Sequence, residues 1–184
     1  MKKLYCEICG MEININNYDF NKNALIQNNS REVILSCPFC GVSNKYLSDD
    51  KLNMVKPLNI DNAAIKILDK AVKLEIFNGD FYKRASILAK SQKVKSLFQQ
   101  LSRIEYMHSR IHMNLGGFKV TPVLSKLNYD KYNSDELLLK MANKREIHAV
   151  EFYSRYLSEV NDANIKYVFK ALLNVEKEHI ILTK

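Results

Sequence analysis

The chain has no tryptophan, only three prolines and five glycines, and no cysteine beyond position 40. So little Gly and Pro excludes a collagen-like or low-complexity chain, and 47% hydrophobic with 26% charged residues is ordinary globular composition. No apolar run approaches the roughly 20 residues that span a bilayer, so no membrane partner is expected. The first residues, Met1-Lys2-Lys3-Leu4-Tyr5-Cys6, lack the apolar stretch and cleavage site of a secretory leader. A cytoplasmic address is the expectation. Acidic residues are in deficit, giving a formal charge of +8. The Lys and Arg residues are spread along the whole chain rather than gathered in a patch, so the excess does not mark a nucleic-acid partner.

What is present divides at about residue 50. Residues 1–50 hold all four cysteines, and residues 51–184 read as long helical segments, with a linker from Leu47 to Pro57 between the two domains. Asp61 is placed to cap a first helix running to about Lys90. Ser91 caps a second that stops at Gly116-Gly117, Ser134 a third ending near Val160, and Asp162 a fourth running to the C-terminus. Two short connections and one long crossover between helices two and three predict a mostly α fold, a ferritin-like antiparallel four-helix bundle.

An internal repeat points to chemistry. A shift of 71 residues, without a gap, lays Leu68 on Leu139, Ala71 on Ala142, Phe81-Tyr82 on Phe152-Tyr153 and Phe98 on Phe169. The same shift lays Glu75 on Glu146, Glu105 on Glu176 and His108 on His179. These are residues that an apolar bundle interior does not want. One such glutamate reads as a solvated flank residue; four at repeat-related positions, two of them in Glu-x-x-His, read as a ligand set.

Glu and His at i, i+3 lie about one turn apart on one helix face and can reach the same point. One Glu from each of two helices and Glu-x-x-His from the other two make a di-metal carboxylate site. By symmetry Glu105 and Glu176 bridge both metals, Glu75 with His108 completes one, and Glu146 with His179 the other. Oxygen-rich ligation suits two iron or manganese ions better than structural zinc. Tyr82 and Tyr153, seven residues after Glu75 and Glu146, are core aromatics whose hydroxyls can orient the carboxylates. His112 also points inward, but its repeat mate is Thr183, so it is expected as a satisfied inner histidine. His148 is expected on the surface.

Cys6-x-x-Cys9-Gly10 and Cys37-Pro38-Phe39-Cys40-Gly41 are two metal knuckles that together hold one tetrahedral ion, iron or zinc. With iron this domain carries single electrons; with zinc it is structural or mediates contacts.

With these motifs in hand, the chain resembles the rubrerythrin family. The resemblance is carried by the two knuckles, Glu75 with Tyr82, Glu105-x-x-His108, Glu146 with Phe152-Tyr153, and Glu176-x-x-His179. It implies the reverse domain order, a small β-rich rubredoxin-like or zinc-ribbon domain preceding the bundle. It further implies reduction of hydrogen peroxide or dioxygen in oxidative-stress defence, with electrons passing through the four-cysteine centre from a donor protein or reductase, often across the interface of a homodimer. The family usually has a further glutamate one turn after the helix-three ligand, where this chain has Ala149. The alternative is a ferroxidase, iron-binding or oxygen-activating protein with a structural zinc knuckle.

Overall fold

A computed structural model describes residues 2–50, 60–125, 127–129 and 131–184. Of the linker expected from Leu47 to Pro57, Leu47–Ser48 instead form a strand paired in the N-terminal sheet, and residues 51–57, with the boundary between the domains, lie outside the described residues.

The first 50 residues form a three-stranded antiparallel sheet, β1 (Leu4–Cys6), β2 (Glu12–Ile13) and β3 (Leu47–Ser48), in the order β2-β1-β3. The two knuckles repeat one geometry. Gly10 N–H donates to Cys6 O at 2.8 Å and Cys6 N–H to Met11 O at 3.1 Å. Gly41 N–H donates to Cys37 O at 2.9 Å and Cys37 N–H to Val42 O at 2.8 Å.

Four helices follow: α1 (Asn62–Leu88), α2 (Gln92–Gly116), α3 (Asp135–Glu159) and α4 (Ala163–Leu182). All four expected caps are made. Asp61 accepts from Ala64 N–H, Ser91 from Val94, Ser134 from Leu137, and Asp162 from Asn164 and Ile165. At the end of α2, Gly117 turns left-handed at φ 66°. The N–H groups of Gly117 and Phe118 then reach back to Asn114 O and Met113 O, closing the helix. Asp135, at the start of α3, accepts from the N–H groups of Lys90 (2.7 Å) and Ser91 (2.9 Å), which ties the α1–α2 turn to the far side of the crossover.

The core is not divided as the sequence is. One apolar cluster joins Ile8, Ile13, Val42 and Tyr46 of the sheet region to Leu68, Ala71, Phe169, Leu172 and Val175 of the bundle. A second, formed by Phe81, Phe98, Leu101, Leu138 and Ala142, fills the other end of the bundle. Glu75, Glu105, Glu146 and Glu176 stand between the two.

Gly41 sits where the knuckle meets α4. Its φ is +77°, and a Cβ there would lie 2.8 Å from Val175 Cγ1. Both the backbone and the contact exclude a side chain. We therefore expect Gly41→Ala to cost about 2 kcal/mol, read as a lowered thermal midpoint; an unchanged midpoint would mean that the knuckle is not seated on α4.

Candidate metal centres

Glu75 on α1, Glu105 and His108 on α2, Glu146 on α3, and Glu176 and His179 on α4 all point into the bundle, each at most 1% exposed. The six divide into two overlapping groups, Glu75 with Glu105, His108 and Glu176, and Glu146 with Glu105, Glu176 and His179. Within each group the ligand-type atoms lie within 4.8 Å of one another. Glu105 and Glu176 belong to both, so the pair that symmetry makes bridging is the pair the fold makes common.

The imidazoles face the carboxylates through Nδ1. His108 Nδ1 lies 3.1 Å from Glu176 Oε1 and 3.6 Å from Glu105 Oε2. His179 Nδ1 lies 3.1 Å from Glu105 Oε1, 3.4 Å from Glu176 Oε2 and 3.8 Å from Glu146 Oε2. Close as they are, neither Nδ1 makes a hydrogen bond. Among the described residues, both oxygens of Glu105 and of Glu176, and one each of Glu75 and Glu146, also lack a hydrogen-bond partner. Buried oxygens and nitrogens that converge without bonding one another are the donor set a cation requires. The chain's residues fit two divalent ions.

The charges make the same point. Burial, then the neighbouring Glu176 and Glu105, push the Glu75 carboxyl well above the ordinary 4.5. Burial and Glu105 do the same to Glu146. Burial alone would raise Glu105 and Glu176 too, but the closeness of the His108 and His179 imidazoles holds both below the ordinary value. Burial opposes charge on the two histidines, and the surrounding carboxylates overcome it and raise both. Without metal, burial and crowding thus favour the protonated forms of Glu75, Glu146, His108 and His179.

Two consequences can be measured. Filling the site should release protons near neutral pH, detectable in a pH-stat titration with Mn²⁺; release of none would mean that the ions bind elsewhere. The folded metal-free protein also holds more protons than the unfolded chain above pH 4.5, the ordinary value for Glu75 and Glu146, and above 6.5, the ordinary value for the histidines. Its stability should therefore fall as pH rises through and beyond this range, and bound metal should reverse the trend.

The tyrosines cross over. Tyr82 of α1 donates to Glu146 of α3, and Tyr153 of α3 donates to Glu75 of α1. Each hydroxyl thereby orients the carboxylate of the opposite repeat. His112 is fully buried with Nε2 2.7 Å from Tyr153 Oη, so it touches the cluster through the tyrosine. Burial and the neighbouring His108 lower its pKa to about 3, which keeps it neutral. His148 lies on the surface, and Ala149 is fully buried.

Two features carry no sequence signal. His108 Nε2 lies 2.9 Å from the backbone carbonyl of Cys40, joining the carboxylate cluster to the knuckle by one hydrogen bond. Arg145, beside Glu146, is buried among the rings of Phe77, Phe81 and Tyr129, with Nη2 donating to Tyr129 Oη at 2.9 Å. It anchors the crossover to α3. A cavity of about 890 Å³ lies beneath that crossover, lined by Phe77, Tyr106, Arg110 and Tyr129 among others, but by none of the six cluster residues.

The four cysteines are buried and unpaired by disulfides. Cys6 Sγ is 3.6 Å from Cys40 Sγ, and Cys9 Sγ is 3.7 Å from Cys37 Sγ. Metal–sulfur bonds of about 2.3 Å in a tetrahedron place the sulfurs about 3.8 Å apart, so the spacing suits one four-thiolate ion. Burial pushes the Cys37 and Cys40 thiols up, and a cation would offset that.

Comparisons with curated proteins and with solved structures return no match. The family model described as Rubrerythrin matches residues 66–182, which is more than half of the chain and contains all six carboxylate and imidazole residues. With its four cysteines gathered in a small sheet ahead of the bundle, this chain belongs to the rubrerythrin family.

Proposed function

We propose that the chain is a non-haem di-iron protein that reduces hydrogen peroxide, with electrons entering through an iron held by Cys6, Cys9, Cys37 and Cys40. The observation that carries this reading is the 2.9 Å contact between His108 Nε2 and Cys40 O. It links the two candidate metal centres by a single hydrogen bond inside one chain. A purely structural knuckle has no need to touch a histidine of the carboxylate cluster.

Glu75 with His108 would hold one iron, Glu146 with His179 the other, and Glu105 and Glu176 would span both. A ferrous pair supplies the two electrons that, with two protons, convert one peroxide to two waters. The chain's own groups supply position and protons. Tyr82 and Tyr153 fix the carboxylates of Glu146 and Glu75 by hydrogen bonding, and Tyr153 Oη stands between Glu75 and His112 Nε2, where a phenolic proton can be held or passed. The apolar clusters on either side exclude bulk water. The electron path is complete within one chain, and a homodimer would carry two copies of it; an external donor protein or reductase would recharge the cysteine-bound iron.

Metal analysis of the full chain purified without oxygen tests the assignment. Three irons per chain and a red four-thiolate chromophore are expected. One zinc per chain and no visible bands would move the protein to the alternative reading, a ferroxidase or oxygen-activating protein with a structural knuckle.

A further inference from the structure

The 71-residue repeat makes the six ligand-type residues symmetric, but what stands behind them is not symmetric. Behind His108, Nε2 is 2.9 Å from Cys40 O. That acceptor fixes the ring with its N–H outward and leaves the Nδ1 lone pair for the cluster. Behind His179, Nε2 is buried and has no hydrogen-bond partner among the described residues, so no acceptor on that side fixes the ring's tautomer.

The second asymmetry is independent and lies on the same half. Tyr153, which donates to Glu75, is itself held at 2.7 Å by His112 Nε2. Tyr82, which donates to Glu146, packs on the rings of Phe81 and Phe98. The repeat position of His112 is Thr183, whose hydroxyl is turned to the α4 backbone at His179 O, 2.9 Å away. Among the described residues, Glu75 and His108 each have a ligand-orienting partner, and Glu146 and His179 share one between them.

We propose that the two metal positions are unequal, and that the one formed by Glu75 and His108 binds a divalent cation more tightly and fills first. His112 is a positioning residue for it, acting through Tyr153. Ligands already held in the bound geometry lose less freedom on binding, and removing one such partner typically weakens metal affinity about 10–100-fold. The inference rests on the di-metal reading of the cluster and adds an order of filling to it.

The test is an anaerobic titration of the full chain with Mn²⁺, its four-cysteine site filled with zinc, following free Mn²⁺ by its paramagnetic resonance signal. The wild-type protein should take up two ions in separate steps, with affinities about 10–100-fold apart. His108→Ala should remove the tight step, whereas His179→Ala should remove the weak one. His112→Phe should weaken the tight step about tenfold and leave the weak step in place. His112→Gln, whose amide can still donate to Tyr153, should restore it, which a merely space-filling role for His112 would not do. Two equal steps in the wild type, or loss of the tight step in His179→Ala, would overturn the order while leaving two ions in the cluster. Uptake of fewer than two ions by the wild type would overturn the di-metal reading itself.

Discussion

Glu105→Ala and Glu176→Ala should each weaken binding at both metal positions by more than about 100-fold, whereas Glu75→Ala should remove one position and spare the other. Glu105 and Glu176 belong to both four-residue groups, while Glu75 and Glu146 each belong to one. A carboxylate shared by two cations also screens their mutual repulsion, so its loss acts twice. Glu75 lacks that second role, so its loss is confined to one position. Metal titration of the three variants separates the roles. Two metals bound by Glu105→Ala with wild-type affinity would mean that the shared carboxylate is not a bridge. A fold check is built in, because Glu75→Ala removes a buried carboxyl of the same layer. If all three variants lost both metals together with their helical circular dichroism, the readout would be packing rather than ligation. The neutral isostere at each position (Glu→Gln) would then decide.

Most of this centre was legible in the sequence, for a specific physical reason. Charged residues on an apolar stripe are costly, and a gapless 71-residue repeat placed four of them in register with two histidines. The helix caps were equally legible, since Asp61, Ser91, Ser134 and Asp162 act on amides within three residues of themselves. What the sequence concealed are contacts between distant segments. The Cys40 acceptor for His108 is a backbone carbonyl, and a carbonyl leaves no mark in a residue pattern. Arg145 precedes Glu146 by one residue and so sits about 100° around the helix from it. Its burial depends on Phe77, Phe81 and Tyr129, two of them from α1 and one from the crossover. Periodicity showed that α4 has an apolar face, but not that Ile8, Val42 and Tyr46 cover part of it. That shared cluster is why the two regions, separable by composition, are joined in the fold.

Mixing the anaerobically reduced protein with hydrogen peroxide should oxidise the di-iron site about tenfold or more faster than mixing it with dioxygen, a barrier difference of about 1.4 kcal/mol. The expectation follows from the proposed function. Peroxide is already at the two-electron level that a ferrous pair can discharge in one turnover, and the hydroxyls of Tyr82 and Tyr153 stand beside the carboxylates. The competing outcome also has a structural basis. Ala149 is fully buried one turn after Glu146 and offers no oxygen, so the oxidised pair would gain no further carboxylate from α3. Faster reaction with dioxygen would therefore place the protein among ferroxidases or oxygen-activating proteins, and no reaction with either oxidant would leave a binding role. The same stopped-flow trace reads the knuckle. If the four cysteines hold iron, its visible bands should change in step with the di-iron site, because the proposed electron path runs through the hydrogen bond from His108 to Cys40 O. Knuckle bands that stay unchanged while the di-iron site is oxidised would show that electrons do not pass between the two centres.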